Sequence, residues 1–180
     1  PWALNRDSIQ AQGLVAWWPF DGPDGGGNLW DFSGVTNAHA SNAGTITAGW
    51  TRNGFGHKAL KFNGTSTAYS TATGLFNFTK TSKFMVTWVG NFGTRGPVTC
   101  WNVAVTAGWH IDQDRAGGFT SMTMADFNAA NAFGRDIGSP GNDSVIRPKA
   151  MVYDGSVASS GINFYVDGVV SNGASFTLGT

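Results

Sequence analysis

The sequence predicts an all-β chain, a β-sandwich or barrel, and three observations carry that expectation. Short segments alternate apolar and polar residues at a period of two, the period of a pleated strand. Gly, at 26 of 180 residues, joins abundant Thr, Ser and Asn between those segments, which favours strands and turns over helices. The 11 acidic residues are all aspartates. Without glutamate, and with little Lys or Leu, a long amphipathic helix has no material.

Taken in order, residues 1–12 form a polar arm with two apolar anchors, Trp2 and Leu4. Leu14, Ala16, Trp18 and Phe20 then alternate with Val15, Trp17 and Pro19; both faces are apolar, so an opening strand covered on both sides is expected. Residues 21–56 read as long loops with short strands near Trp30 and Ile46–Trp50. KALKFNG places Leu60 and Phe62 on one face. KFMVTWVGNF does the same with Phe84, Val86, Trp88 and Phe92, which makes Trp88 a core residue. VTCWNVAV, GWHIDQD and FTSMTMA follow as strands. The run from Asp126 to Asp143 reads as a polar stretch, and a short helix over 124–135 is opposed by Asn128, Asn131 and Gly134. KAMVYDG and INFYVDGVV close the chain; Asp167-Gly168 between apolar segments is a two-residue hairpin signal, and Asp154-Gly155 a weaker one.

Composition excludes several functions. Lys plus Arg equal Asp plus Glu at 11 each, so the formal charge is zero. No basic cluster exists to neutralise phosphates, so nucleic acid is not an expected partner. No run of about 18 apolar residues exists to span a membrane. The single cysteine, Cys100, allows no internal disulfide and no Cys/His zinc spacing. It sits in an apolar strand and reads as a small core residue. No signal-like segment opens the chain; because it begins at Pro1, a processed or partial polypeptide is expected.

Five motifs in order, GLVAWWPFDG (13–22), DFSGVTNAHAS (31–41), GFGHKALKFNG (54–64), KFMVTWVGN (83–91) and INFYVDG (162–168), resemble a laminin-G-like domain of the concanavalin A-like lectin/glucanase superfamily. The resemblance runs over about 150 residues and implies an antiparallel β-sandwich, a jelly roll occupying 13–180, with 1–12 as its N-terminal arm. Two departures stand out. The family usually has a Trp before the strand KAMVYDG, where Val145, Ile146, Arg147 and Pro148 stand here. Family members also continue past the VDG hairpin, so the jelly roll is expected to lack its last strand or two within these residues. The opening VAWWPFDG, with its arm, is similar to laminin-G-like domains of phage and environmental bacterial proteins.

Three kinds of chemistry were weighed. Jelly-roll glucanases that the fold resembles use paired glutamates, which this chain lacks; Asp112 and Asp114 sit side by side on one strand rather than across a sugar bond. No GxSxG elbow occurs, and the chain is read as no enzyme. For a metal, Asp21, Asp24 and Asp31 lie among Gly and Asn that supply carbonyl ligands, and calcium is the cofactor they would suit. A second candidate is His110, Asp112 and Asp114 at alternate positions about 7 Å apart; a polar, solvent-facing strand side is the reading the pattern favours there. For sugar stacking, Trp30, Trp50, Trp101 and Trp109 are the aromatics not fixed in phase with the core, one of which could serve as a platform; buried packing is the reading favoured for each.

The expectation that emerges is a non-catalytic structural or adhesive module outside the cell, most of all on a phage virion. Its partners would be other virion subunits, docked through Trp2 and Leu4, together with glycan. The alternative is a free-standing carbohydrate-binding module of a secreted bacterial protein.

Overall fold

The computed structural model describes residues 5, 7–19, 29–33, 41–42, 50–52, 58–60, 69–70, 76–90, 98–102, 107–115, 119–126, 128–138 and 145–178. They belong to two compact units, Pro1–Phe76 and Asn77–Thr180. Thirteen antiparallel strands and two single 3-10 turns make up the regular structure among these residues, so the chain is all-β. Among the described residues no helix is long and apolar enough to cross a membrane.

In the first unit, Ser41–Asn42 (β1) pairs with Tyr69–Ser70 (β4), and Trp50–Arg52 (β2) pairs with Lys58–Leu60 (β3). Within the expected arm, Ile9–Ala11 forms a 3-10 turn with Ile9 exposed; Trp2 and Leu4 lie outside the described residues. The opening strand expected over 14–20 is corrected. Leu14–Pro19 is half-buried but joins no ladder. Trp17 has a different set of partners: its N–H donates to Asp31 Oδ1 at 2.9 Å, and its carbonyl accepts from Phe32 N at 2.9 Å. Pro19 has no N–H to extend a ladder past that point.

The second unit holds two larger sheets. Phe84–Gly90 (β5), Arg147–Tyr153 (β10), Ile162–Val166 (β11) and Val169–Val170 (β12) form one, in the order β12-β11-β10-β5. Val98–Asn102 (β6), Ala107–Arg115 (β7), Phe119–Asp126 (β8), Asn128–Ile137 (β9) and Asn172–Leu178 (β13) form the other, ordered β13-β9-β8-β7-β6. Alternation holds in β5: Phe84, Val86 and Trp88 turn inward while Met85, Thr87 and Val89 are exposed. The rings of Phe84 (β5) and Trp109 (β7) lie 5.0 Å apart, and those of Tyr153 (β10) and Phe133 (β9) 6.0 Å apart, so the two sheets share one aromatic core. Phe78 stacks on Phe84 at 4.4 Å. Met151, Ile162, Phe164, Ile111 and Ile137 complete it as fully buried side chains.

Two turns follow their residues. Asp167 (φ +51) and Gly168 (φ +79) both have positive φ, as a two-residue hairpin of mirror-image type requires. Asp154-Gly155 opens a longer connection that runs to Gly161, closed by Asp154 N–H donating to Gly161 O at 3.1 Å. The buried Tyr153 hydroxyl secures that connection. It accepts from Val157 N at 2.9 Å and donates to Lys80 O. The polar stretch expected after Asp126 is also corrected, since residues 128–137 are strand β9, paired with β8 on one side and β13 on the other.

Candidate binding site

The segment Leu29–Ser33 alternates without being a ladder strand. Leu29, Asp31 and Ser33 are buried, while Trp30 and Phe32 stand 47% and 48% exposed. What turns the two rings outward is the carboxylate between them. Asp31 Oδ1 accepts from Trp17 N at 2.9 Å and from Ser33 N at 2.8 Å, and Oδ2 accepts from the Ser33 hydroxyl at 2.8 Å. The same hydroxyl lies 3.2 Å from Val15 O. An anionic acceptor forms strong bonds with buried donors, so Asp31 acts as a strut that ties 29–33 to 15–17. Trp17 then supports Phe32 from the side, edge to face, at 6.4 Å and 67°.

Residues two apart on an extended segment project their side chains on one side about 7 Å apart. Trp30 and Phe32 therefore form an exposed aromatic pair on a braced backbone. An aromatic face is the negative pole of the ring quadrupole and attracts the polarised C–H groups on the apolar side of a sugar ring. Of the four tryptophans weighed for stacking, Trp30 has the geometry. Trp109 does not, which corrects that expectation: it is 1% exposed, enclosed by Phe78 and Phe84 at 5.9 and 5.0 Å. Trp50 and Trp101 sit opposite Leu60 and Gly108 in β2 and β6, and their side chains lie outside the described residues. Phe32 was missed in the sequence because DFSG reads as a loop; only the inward turn of Asp31 and Ser33 exposes its ring.

The metal candidates separate. Asp21 and Asp24 lie outside the described residues, and Asp31 is the strut just described. His110 is half-buried on β7, but the row expected to run on through Asp112 and Asp114 is interrupted. Asp112 pairs with Ser121 and Arg115 with Phe119, so two residues of β7 oppose one of β8. The bulge breaks the register between Asp112 and Arg115, and the side chains of Asp112 and Asp114 lie outside the described residues. Across the sheet, Ser121 pairs in turn with Asp136, a buried carboxylate on β9 within the run expected as a polar stretch. Among the described residues no group of three or more His, Cys, Asp or Glu gathers as a metal site.

No protein-family model, curated protein or solved structure matches the chain.

Proposed function

We propose that the chain is a non-catalytic adhesive module, displayed on the surface of a larger particle such as a phage virion, and that it binds glycan by stacking sugar rings on Trp30 and Phe32. The observation that carries the glycan reading is the exposed aromatic pair braced by a buried aspartate. The rings are half-exposed although a buried position would lower their free energy by burial of apolar area, and the carboxylate beneath them holds that arrangement. The all-β architecture supports a laminin-G-like β-sandwich with jelly-roll order. The virion setting rests on the likeness of the opening segment to phage proteins, and the lack of glutamate supports the absence of glycosidase chemistry.

A glycan array followed by calorimetry on the best ligand tests the reading. Trp30→Ala should weaken binding roughly tenfold or more, the scale of losing a tryptophan anchor, and Phe32→Ala somewhat less. Binding that survives both substitutions, or no binding by the wild-type chain to any neutral glycan, would overturn it. Detection of the chain's peptides in purified particles tests the setting.

A further inference from the structure

The four-stranded sheet of the second unit carries a face of the wrong polarity for water. On β10 the outward row is Pro148, Ala150 and Val152, while the inward row includes the buried Lys149. Register places Val89, Thr87 and Met85 beside that row on β5, and Tyr165 and Asn163 on its other side on β11. Val170 on β12 follows opposite Tyr165. Met85 is 63% exposed, Val89 59% and Val170 56%. An antiparallel sheet with one solvated face normally turns polar residues outward; this one turns mainly aliphatic residues outward, joined by Tyr165 and interrupted by Thr87 and Asn163.

We propose that this face docks a second copy of the same chain, sheet against sheet. Shape favours that occupant, because sheets of the same right-handed twist stack aligned at about 30°. Charge favours it as well. The face itself bears no charged residue, and each of its ends carries one cation and one anion. Lys83 and Asp154 flank the Phe84–Tyr153 end, and Arg147 and Asp167 form an ion pair of 2.8 Å at the other. Two copies can therefore meet in either direction without net repulsion. A glycan would find only Tyr165 to stack on, and an anionic lipid surface would find no basic rim. Three strands and part of a fourth, at 4.8 Å spacing and 3.3 Å per residue, cover roughly 350 Å² in plan. With side-chain relief the pair buries on the order of 1,000 Å² in total, the lower bound for a specific interface. An interface of that size belongs to the weak, transient class.

Sedimentation of the full chain between about 5 and 500 µM tests this. The expected result is a reversible monomer–dimer equilibrium that Met85→Lys and Val89→Lys each weaken at least tenfold, while Ile9→Lys, on an exposed turn of the other unit, leaves it unchanged. Thr87→Arg, at a position already exposed and polar, repeats the test without touching an apolar residue. A wild-type chain that stays monomeric across the range overturns the proposal and gives the face to a different partner. A dimer indifferent to all three face substitutions overturns it too. Because Trp30→Ala reads glycan binding separately, either proposal can fail without the other.

Discussion

Asp31 is the residue whose loss should separate structure from contact most clearly. It is 7% exposed, so a ligand on the neighbouring rings does not reach it. Its replacement by Ala removes the acceptor of two main-chain N–H groups, those of Trp17 and Ser33, and of one hydroxyl. The hydroxyl retains Val15 O as an alternative; the buried Ser33 N–H and the part-buried Trp17 N–H lose an anionic partner. At about 1–3 kcal/mol for each buried donor left without its acceptor, Asp31→Ala should destabilise the first unit by roughly 2–4 kcal/mol. Asp31→Asn retains one carbonyl oxygen for the N–H pair and should cost about half as much. Urea titration followed by tryptophan fluorescence measures both. The same variants should lose glycan affinity, since the segment that orients Trp30 and Phe32 is released. If Asp31→Ala unfolds within about 0.5 kcal/mol of wild type, the size of an ordinary surface change, the strut argument is wrong. Full glycan binding by a destabilised Asp31→Ala chain would show that the rings are oriented by something else.

Three further outcomes are expected. Trp109→Ala should cost about 3–5 kcal/mol in denaturant titration, and Trp30→Ala clearly less; equal losses would contradict the burial difference between them. Gly168→Ala should cost about 1–2 kcal/mol for its left-handed backbone alone, because a Cβ there meets nothing within 4 Å, whereas at Gly155 the Cβ would stand 2.6 Å from the Thr81 carbonyl oxygen. Gly155→Ala should therefore cost roughly 1–3 kcal/mol more than Gly168→Ala, and equal costs would refute the close approach. Burial pushes the Tyr153 hydroxyl above its ordinary value of 10.0. The folded state then holds that proton after the unfolded chain has released it, so the Tyr153 contribution is complete below pH 10 and is lost as pH rises through the folded pKa. Chemical denaturation across that window should show the gap between wild type and Tyr153→Phe narrowing as pH rises, and a constant gap would exclude the linkage.

What was legible in the sequence was what local pattern determines. Phe84, Val86 and Trp88 share a face because a strand offers two faces and residues two apart fall on the same one, the intervening Met85, Thr87 and Val89 taking the other. Asp167-Gly168 turns because few pairs tolerate two consecutive positive φ angles. Strand β9 was not legible. NAANAFGRDI is rich in Asn, Ala and Gly, which have low strand propensity, and it is a strand because β8 and β13 pair with it on both sides. The bulge between Asp112 and Arg115 was invisible for a related reason: register is fixed by the partner strand, and one extra residue reverses every later position. Asp31 shows a different limit. A carboxylate among Gly and Asn reads as a cation ligand, yet a pair of main-chain N–H groups presents it with positive poles in the same way. Only the position of Trp17, fourteen residues away in the chain, decides which of them it meets.

The two exposed features answer different physical needs, and their weakness is informative. An open aromatic pair encloses little of a sugar ring, far less than the 70–90% of ligand surface that a cleft covers, so one copy should hold glycan loosely. Loose sites become effective when many act together, because the second contact forms at a raised effective concentration and avidity can exceed single-site affinity by about 10²–10⁴. A module displayed in many copies on a particle meets that condition through its attachment. Self-association through the four-stranded sheet would contribute in the same direction at high local density while leaving the free chain monomeric at low concentration. Measured on dispersed chain, glycan binding should therefore be weak and fast, and on a surface bearing many copies it should be tight and slow to release. Equal affinity in the two formats would mean that the aromatic pair does not act by stacking on an open surface, and that the ligand is enclosed instead.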